Sequence, residues 1–165
     1  MVTELILIRH GQSEGNAGVS TDPDCALTPL GIEQARAAGR HVASFDLSGF
    51  EGVTSPYRRA VHTAREVAAA TGLKFVEDED VREWGPACTV NGRAFEKEPA
   101  ELAVERLKNF LRRVEGRRLV VVSHAAPIAL LTNLAWGEPP RTEGEFWLGV
   151  GNCCPRWLKV TASRR

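Results

Sequence analysis

The sequence predicts an α/β fold, a three-layer α/β/α sandwich with a mostly parallel central sheet, and three observations predict it. Leu5-Ile6-Leu7-Ile8 and Leu119-Val120-Val121-Val122 are unbroken apolar runs of strand length, too uniform to leave one face in water. Segments with apolar residues at helical spacing alternate with these and with shorter strand-like stretches. Both long runs end in a polar pair containing histidine, Arg9-His10 and Ser123-His124. In open parallel sheets the C-terminal edge of the strands is where ligands bind, so the two histidines are expected to meet there.

The 165 residues are about one domain's length, and a single domain over 1–165 is expected, with a short cap-like insertion around 84–114. Lys plus Arg number 21 and Asp plus Glu 21, so the formal net charge is zero and no global field favours nucleic acid or anionic lipid. Any anion site must be local. No run approaches the roughly 20 apolar residues that span a membrane, and the N-terminus enters a strand directly, so a cytoplasmic protein is expected. Cys25, Cys88, Cys153 and Cys154 show no metal-finger or CxxC spacing and are expected to be reduced, incidental thiols.

After the first strand and its Gly11-to-Asn16 loop, Asp22-Pro23-Asp24 has turn composition. Thr28-Pro29 is an N-cap followed by a proline at the first helical position, opening a helix to about 41–44. Gly31 in its first turn costs helix stability and points to a close backbone approach. Gly52-Val53-Thr54-Ser55 reads as a short strand, with Ser55 as cap of a helix striped by Tyr57, Ala60, Val61, Ala64 and Val67 and ended near Gly72. Lys74-Phe75-Val76 resembles another short strand, and the acidic run 77–80 a solvated turn. Residues 84–99 lack a period and read as loop. Leu102, Ala103, Leu107, Phe110, Leu111 and Val114 define a helix over about 99–114, with Arg112 and Arg113 at the end where its dipole favours cations. A helix from Pro127 stops at Gly137, and Phe146-Trp147-Leu148 and Arg156 to Val160 read as one or two terminal strands, the latter an edge strand because of Pro155.

The candidate chemistry lies at strand ends and the loops behind them: Arg9-His10, Ser55 through Arg59, Glu83 and Ser123-His124. Paired guanidiniums suit a dianion, because their planar fork matches phosphate oxygens and stays charged. A histidine there can attack phosphorus once its proton sits on the other ring nitrogen, and a glutamate can protonate the departing alkoxide. His41 and His62 fall in helices and are expected on their surfaces; Glu14 is the alternative acid, and Arg58 a rim or surface cation.

The residues in Arg9-His10-Gly11-Gln12-Ser13-Glu14-Gly15-Asn16, Leu27 to Gly31 with Gln34-Ala35, Ser55 to Ala64, Arg82-Glu83, Val122-Ser123-His124 and Asn152-Cys153-Cys154 resemble, in order, the motifs of the histidine phosphatase superfamily in its phosphoglycerate mutase-like branch (branch 1). The resemblance implies a phosphoglycerate mutase-like fold. It also implies that His10 is the nucleophile that becomes phosphohistidine and that Arg9, Arg59 and His124 hold the phosphoryl oxygens. Asn16 would add a donor and Glu83 would act as acid and then base. No metal or other cofactor is implied. The family usually has glycine after its second histidine, whereas Ala125-Ala126-Pro127 stand here, which points to a tighter, drier pocket beside His124.

Within that family the mutases carry long closing insertions, and here only the region from Trp84 to about Val114 is available as a cap. A phosphomonoesterase acting on a small phosphorylated metabolite is therefore expected, a metal-independent hydrolase with no nucleic-acid or membrane partner. The alternatives are phosphoglycerate mutase-type transfer, a phosphohistidine-protein phosphatase, and a non-catalytic phosphate-binding interaction domain. Trp84, Phe95, Trp136, Phe146 and Trp147 are candidates for a pocket rim that favours an apolar or aromatic leaving group, or else for core packing.

Overall fold

The computed structural model describes residues 1–147 and 149–161. Its elements are β1 (Val2–Arg9), α1 (Pro29–Ala43), β2 (Phe50–Thr54), α2 (Arg58–Thr71), β3 (Phe75–Glu77), a 3-10 turn (Glu79–Val81), β4 (Cys88–Val90), β5 (Arg93–Phe95), α3 (Ala100–Arg113), β6 (Arg118–Ser123), α4 (Ala125–Trp136) and β7 (Arg156–Thr161). The main sheet has the order β3-β2-β6-β1-β7, parallel except for β7, which runs antiparallel to β1 at one edge.

The unbroken apolar runs have a direct structural cause. Leu5 and Leu7 of β1 and Leu119 and Val121 of β6 point into one core with α3 and α4. Their neighbours Ile6, Ile8, Val120 and Val122 point the other way, onto α1 and α2. Alternate residues thus fill two cores, the defining condition of a sheet covered on both faces. Burying such a side chain stabilises by about 1.5–3 kcal/mol, so a polar substitution in either run destabilises whichever face it lands on.

The local stop and start signals behave as expected at three places. Thr28 Oγ1 accepts from the Gly31 amide at 3.1 Å with Pro29 at the first helical position, and Gly72 and Gly137 end α2 and α4 at φ of 73° and 71°. The close approach at Gly31 is also present. A Cβ there would lie 2.0 Å from the Gln12 carbonyl oxygen, and one on Gly11 2.2 Å from that of Gly31.

Elsewhere the structure corrects the sequence reading. Residues 84–99 are not all loop: β4 and β5 form an antiparallel hairpin through Asn91-Gly92, at φ of 50° and 75°. Asn-Gly is the residue pair such two-residue turns require, but three-residue strands are too short to show a period. Ser55 does not cap α2. The Arg58 amide is instead held by Asp24 Oδ1 at 2.7 Å, a partner 34 residues away. The acidic turn is not simply solvated, because Arg113 bonds both Asp78 at 2.8 Å and Asp80 at 2.7 Å. Phe146 and Trp147 lie in a turn rather than a strand, and Leu148 lies outside the described residues. The helix expected from Pro127 begins two residues earlier, at Ala125, directly after His124.

Candidate active site

Three parallel strands end side by side and deliver the candidate residues. Arg9 pairs with Ser123 in the β1–β6 register, the His10 amide donates to the Ser123 carbonyl at 3.0 Å, and the Ser55 amide donates to that of Val122 at 2.9 Å. His10, Ser55 and His124 therefore share one edge. His124 is fully buried and His10 nearly so, with their rings 5.2 Å apart.

The His10 ring is defined at both nitrogens. Nδ1 lies 2.7 Å from the Gly11 carbonyl and Nε2 accepts from Arg59 Nε at 3.0 Å. An acceptor at Nε2 requires its lone pair, so the ring proton sits on Nδ1 and donates to Gly11. Burial first, then the Arg59 and Arg9 charges, hold the His10 pKa well below its ordinary range, so the ring is a neutral imidazole with its basic nitrogen facing a guanidinium. Thr63 Oγ1 accepts from the Gly11 amide at 3.1 Å and donates to the Arg59 carbonyl at 2.8 Å, tying strand end to helix start.

Arg59 reaches this position from the first turn of α2. Its Nη1 donates to the Pro23 carbonyl at 2.7 Å, its guanidinium stacks 4.8 Å over the Tyr57 ring, and its Nη2 lies 3.9 Å from Glu83. Arg9 donates to the Val150 carbonyl at 2.7 Å, while its Nε is buried without a hydrogen-bond partner among the described residues. His124 Nε2 pairs with Ser55 Oγ at 2.7 Å, and its Nδ1 lies unpartnered at 3.6 Å from the Glu83 carboxylate. Burial, followed by the Arg59 charge, also keeps the His124 pKa well below its usual value.

Glu83 lies between the second histidine and Arg59, where burial raises its pKa against the opposing pull of Arg59 and the Trp84 amide. Its backbone is held from both sides. Buried Arg106 donates to the Asp80 and Arg82 carbonyls and pairs with Glu98, and Glu98 also binds Arg82 and accepts from Trp84 Nε1 through its carbonyl.

The sequence-predicted residues Arg9, His10, Arg59, Glu83 and His124 thus converge. Asn16 joins them indirectly: it is exposed, its Oδ1 accepts from the Ser13 amide at 3.2 Å, and Asn152 bridges it to the His10 carbonyl. Arg58 faces outward, His41 packs on Phe45 at the surface of α1, and His62 faces Glu66 along α2. Sequence reasoning gave no site role to Thr63, Pro23 or the Glu98–Arg106 pair, and Ser55, inside a candidate segment, reads there as a helix cap rather than as the partner of His124. Ser55 carried a usable signal, because it ends a strand beside the two that deliver histidines.

A cavity of about 640 Å³, open to solvent, adjoins the cluster and shares Arg9 and Glu83 with it. Trp84, Trp147, Ala125 and Ala126 line it, the two alanines following His124 in the chain. Phe146 backs onto Trp84, whereas Phe95 packs under Arg82 and Trp136 is exposed at the end of α4. Among the described residues no group of three or more His, Cys, Asp or Glu could hold a metal ion. None of the described helices is long and apolar enough to cross a membrane.

Comparison with known proteins shows the family and the fold of the chain. The chain is 30% identical to the uncharacterized phosphatase PhoE of Bacillus subtilis (strain 168), covering 84% of this chain and 80% of that protein. Two solved structures share its fold. A mycobacterial glucosyl-3-phosphoglycerate phosphatase superposes with a TM-score of 0.69 at 22% identity, covering 96% of this chain and 91% of that one. A phosphoglycerate mutase from Bacillus anthracis str. Sterne superposes with a TM-score of 0.72 at 18% identity, covering 96% and 88%. The family model of the histidine phosphatase superfamily (branch 1) matches residues 5–105, and with the two histidines, two arginines and glutamate gathered at one sheet edge, the chain belongs to that superfamily.

Proposed function

We propose that the protein is a phosphomonoesterase that hydrolyses a small phosphorylated metabolite through a phosphohistidine on His10. The observation that carries this reading is the state of the His10 ring, neutral and protonated on Nδ1, with the Nε2 lone pair turned toward Arg59. That nitrogen attacks phosphorus, and Arg59 exchanges its bond to the ring for bonds to the phosphoryl oxygens. Arg9, with an unpartnered Nε, and His124, with an unpartnered Nδ1, supply further donors around the same dianion. With the Ser55 hydroxyl proton on its bond to Nε2, the His124 ring proton falls on Nδ1 and faces the site. Asn16 adds a contact from the first loop.

In the first half-reaction the N–P bond forms as the P–O bond to the leaving group breaks, and protonated Glu83 gives its proton to the alkoxide. Its raised pKa favours the form needed. In the second, the Glu83 carboxylate takes a proton from water, which attacks phosphorus, breaks the N–P bond and releases inorganic phosphate. The arginines neutralise the charge, and no step is assigned to a metal. The open cavity gives water a route to the phosphohistidine, which favours hydrolysis over transfer. The phosphatase name of the relative at 30% identity supports the same choice.

Rapid quenching after mixing with a labelled aryl phosphate tests the reading. Acid-labile label on the protein, absent in His10→Ala, and steady release of phosphate are expected. No label in the unmutated protein overturns covalent catalysis, and efficient interconversion of phosphoglycerates with little hydrolysis assigns a mutase instead.

A further inference from the structure

We propose that the alcohol half of the substrate is a planar apolar group, aromatic in kind, that carries a second anion facing Lys97; this deepens, and rests on, the phosphatase reading above. The cavity beside the catalytic cluster is far larger than a phosphate, and its size falls in the range of pockets that enclose an organic ligand. One part of its wall is flat and fixed. Trp84 is locked in place by its Nε1 bond to the Glu98 carbonyl at 2.9 Å and by Phe146 behind it at 5.9 Å, so one ring face is a fixed platform. Trp147 and Pro99 line the same cavity, and the methyl groups of Ala125 and Ala126 offer no polar partner to a sugar hydroxyl. A fixed aromatic wall is prepaid ordering, which favours a stacked ring over a flexible polyol.

The charges on the lining give the second half of the inference. Arg9 and Glu83 belong to the phosphate end. Glu98, also on the lining, is neutralised by Arg106 at 2.6 Å and Arg82 at 3.0 Å. Lys97 is exposed, lines the same cavity, and pairs with no carboxylate among the described residues. One unbalanced positive charge therefore stands over the leaving-group side, and a ligand anion complements it.

The test compares three esters whose leaving groups are all primary alkoxides: glycerol 3-phosphate, benzyl phosphate and 4-carboxybenzyl phosphate. Binding of benzylphosphonate and 4-carboxybenzylphosphonate is measured in parallel by calorimetry. Benzyl phosphate is expected to exceed glycerol 3-phosphate in kcat/KM by about tenfold, from ring burial and stacking. The carboxylate adds about threefold, the scale of an exposed ion pair. Lys97→Gln brings the carboxybenzyl-to-benzyl ratio to about one, and Trp84→Ala, with Trp84→Phe as the folded control, reduces the benzyl-to-glycerol ratio. Equal kcat/KM for the three esters, or preference for glycerol 3-phosphate, overturns this inference and leaves the phosphatase reading standing. Phosphonate binding in the expected order without turnover of any ester overturns the phosphatase reading and leaves this one standing.

Discussion

Arg59 Nε lies 3.0 Å from His10 Nε2, on the ring nitrogen opposite the one bonded to the Gly11 carbonyl at 2.7 Å. One guanidinium thus occupies the direction from which phosphorus would come in the proposed reaction, and a phosphate dianion there would draw it onto its own oxygens. In the proposed mechanism, Arg59 would orient the nucleophile before attack and neutralise the transition state during it.

This double role predicts that Arg59→Lys is not conservative. A single ammonium cannot meet the Pro23 carbonyl, His10 and the phosphoryl oxygens together. A fall in kcat of about 10²–10³-fold toward an aryl phosphate is expected, the scale of losing a preorganised donor. A loss under threefold removes Arg59 from the mechanism.

Glu83→Gln separates leaving groups. Alkyl phosphates need protonation of the alkoxide and are expected to lose about 10²-fold or more, whereas aryl phosphates lose less than tenfold in phosphoenzyme formation. The raised pKa keeps the acid form present to higher pH than for an ordinary glutamate, and activity on alkyl esters falls as pH rises through it. Glu83→Gln removes that alkaline limb. Equal losses on both ester classes exclude Glu83 as the acid.

Stability is expected to fall on mild acidification. His10 and His124 are held neutral in the fold, with pKa values well below 6.5. The unfolded chain binds their protons below about pH 6.5 and the folded chain does not, so folding stability is fully present above that pH. It is lost below it at up to about 1.4 kcal/mol per pH unit per histidine. Glu83 acts in the opposite sense, because its folded pKa lies above its ordinary value of 4.5 and its cost shrinks toward acid. Denaturant midpoints should therefore be level above pH 7 and drop toward pH 5, with a shallower drop in His124→Gln. A level profile across the whole range contradicts the burial of neutral rings.

Gly31→Ala tests the contact between the first loop and α1. A methyl group 2.0 Å from the Gln12 carbonyl forces the two backbones apart, at an expected cost of about 1–3 kcal/mol or more. It also moves Gly11, whose carbonyl orients His10. Gly149→Ala, where a Cβ meets nothing within 4 Å, is the control and leaves the denaturant midpoint nearly unchanged. Equal midpoints in the two variants refute the close approach.

Much of this was legible because it is local. Leu5 to Ile8 and Leu119 to Val122 state by their lack of alternation that the sheet is covered twice, and Thr28-Pro29, Gly72 and Gly137 mark helix ends within a turn of the chain. The order of motifs likewise identifies which histidines, arginines and glutamate belong together. The hairpin of β4 and β5 was hidden because its strands are shorter than any period. Ser55 was misread because its local capping chemistry is real but loses to His124, a partner 69 residues away.

The sequence by itself determined the layers, the parallel strands and the edge at which Arg9, His10 and His124 emerge, since these follow from hydrophobic period and backbone chemistry over a few residues. Only the tertiary structure decided which nitrogen of His10 carries the proton, that Arg59 faces the other from the Pro23 carbonyl, and that Arg106 and Glu98 present Glu83 to the second histidine. Hydrogen-bond direction and the loss of water around a charge depend on placement to within an ångström. Packing between segments far apart in the chain sets that placement, and no short stretch of sequence contains it.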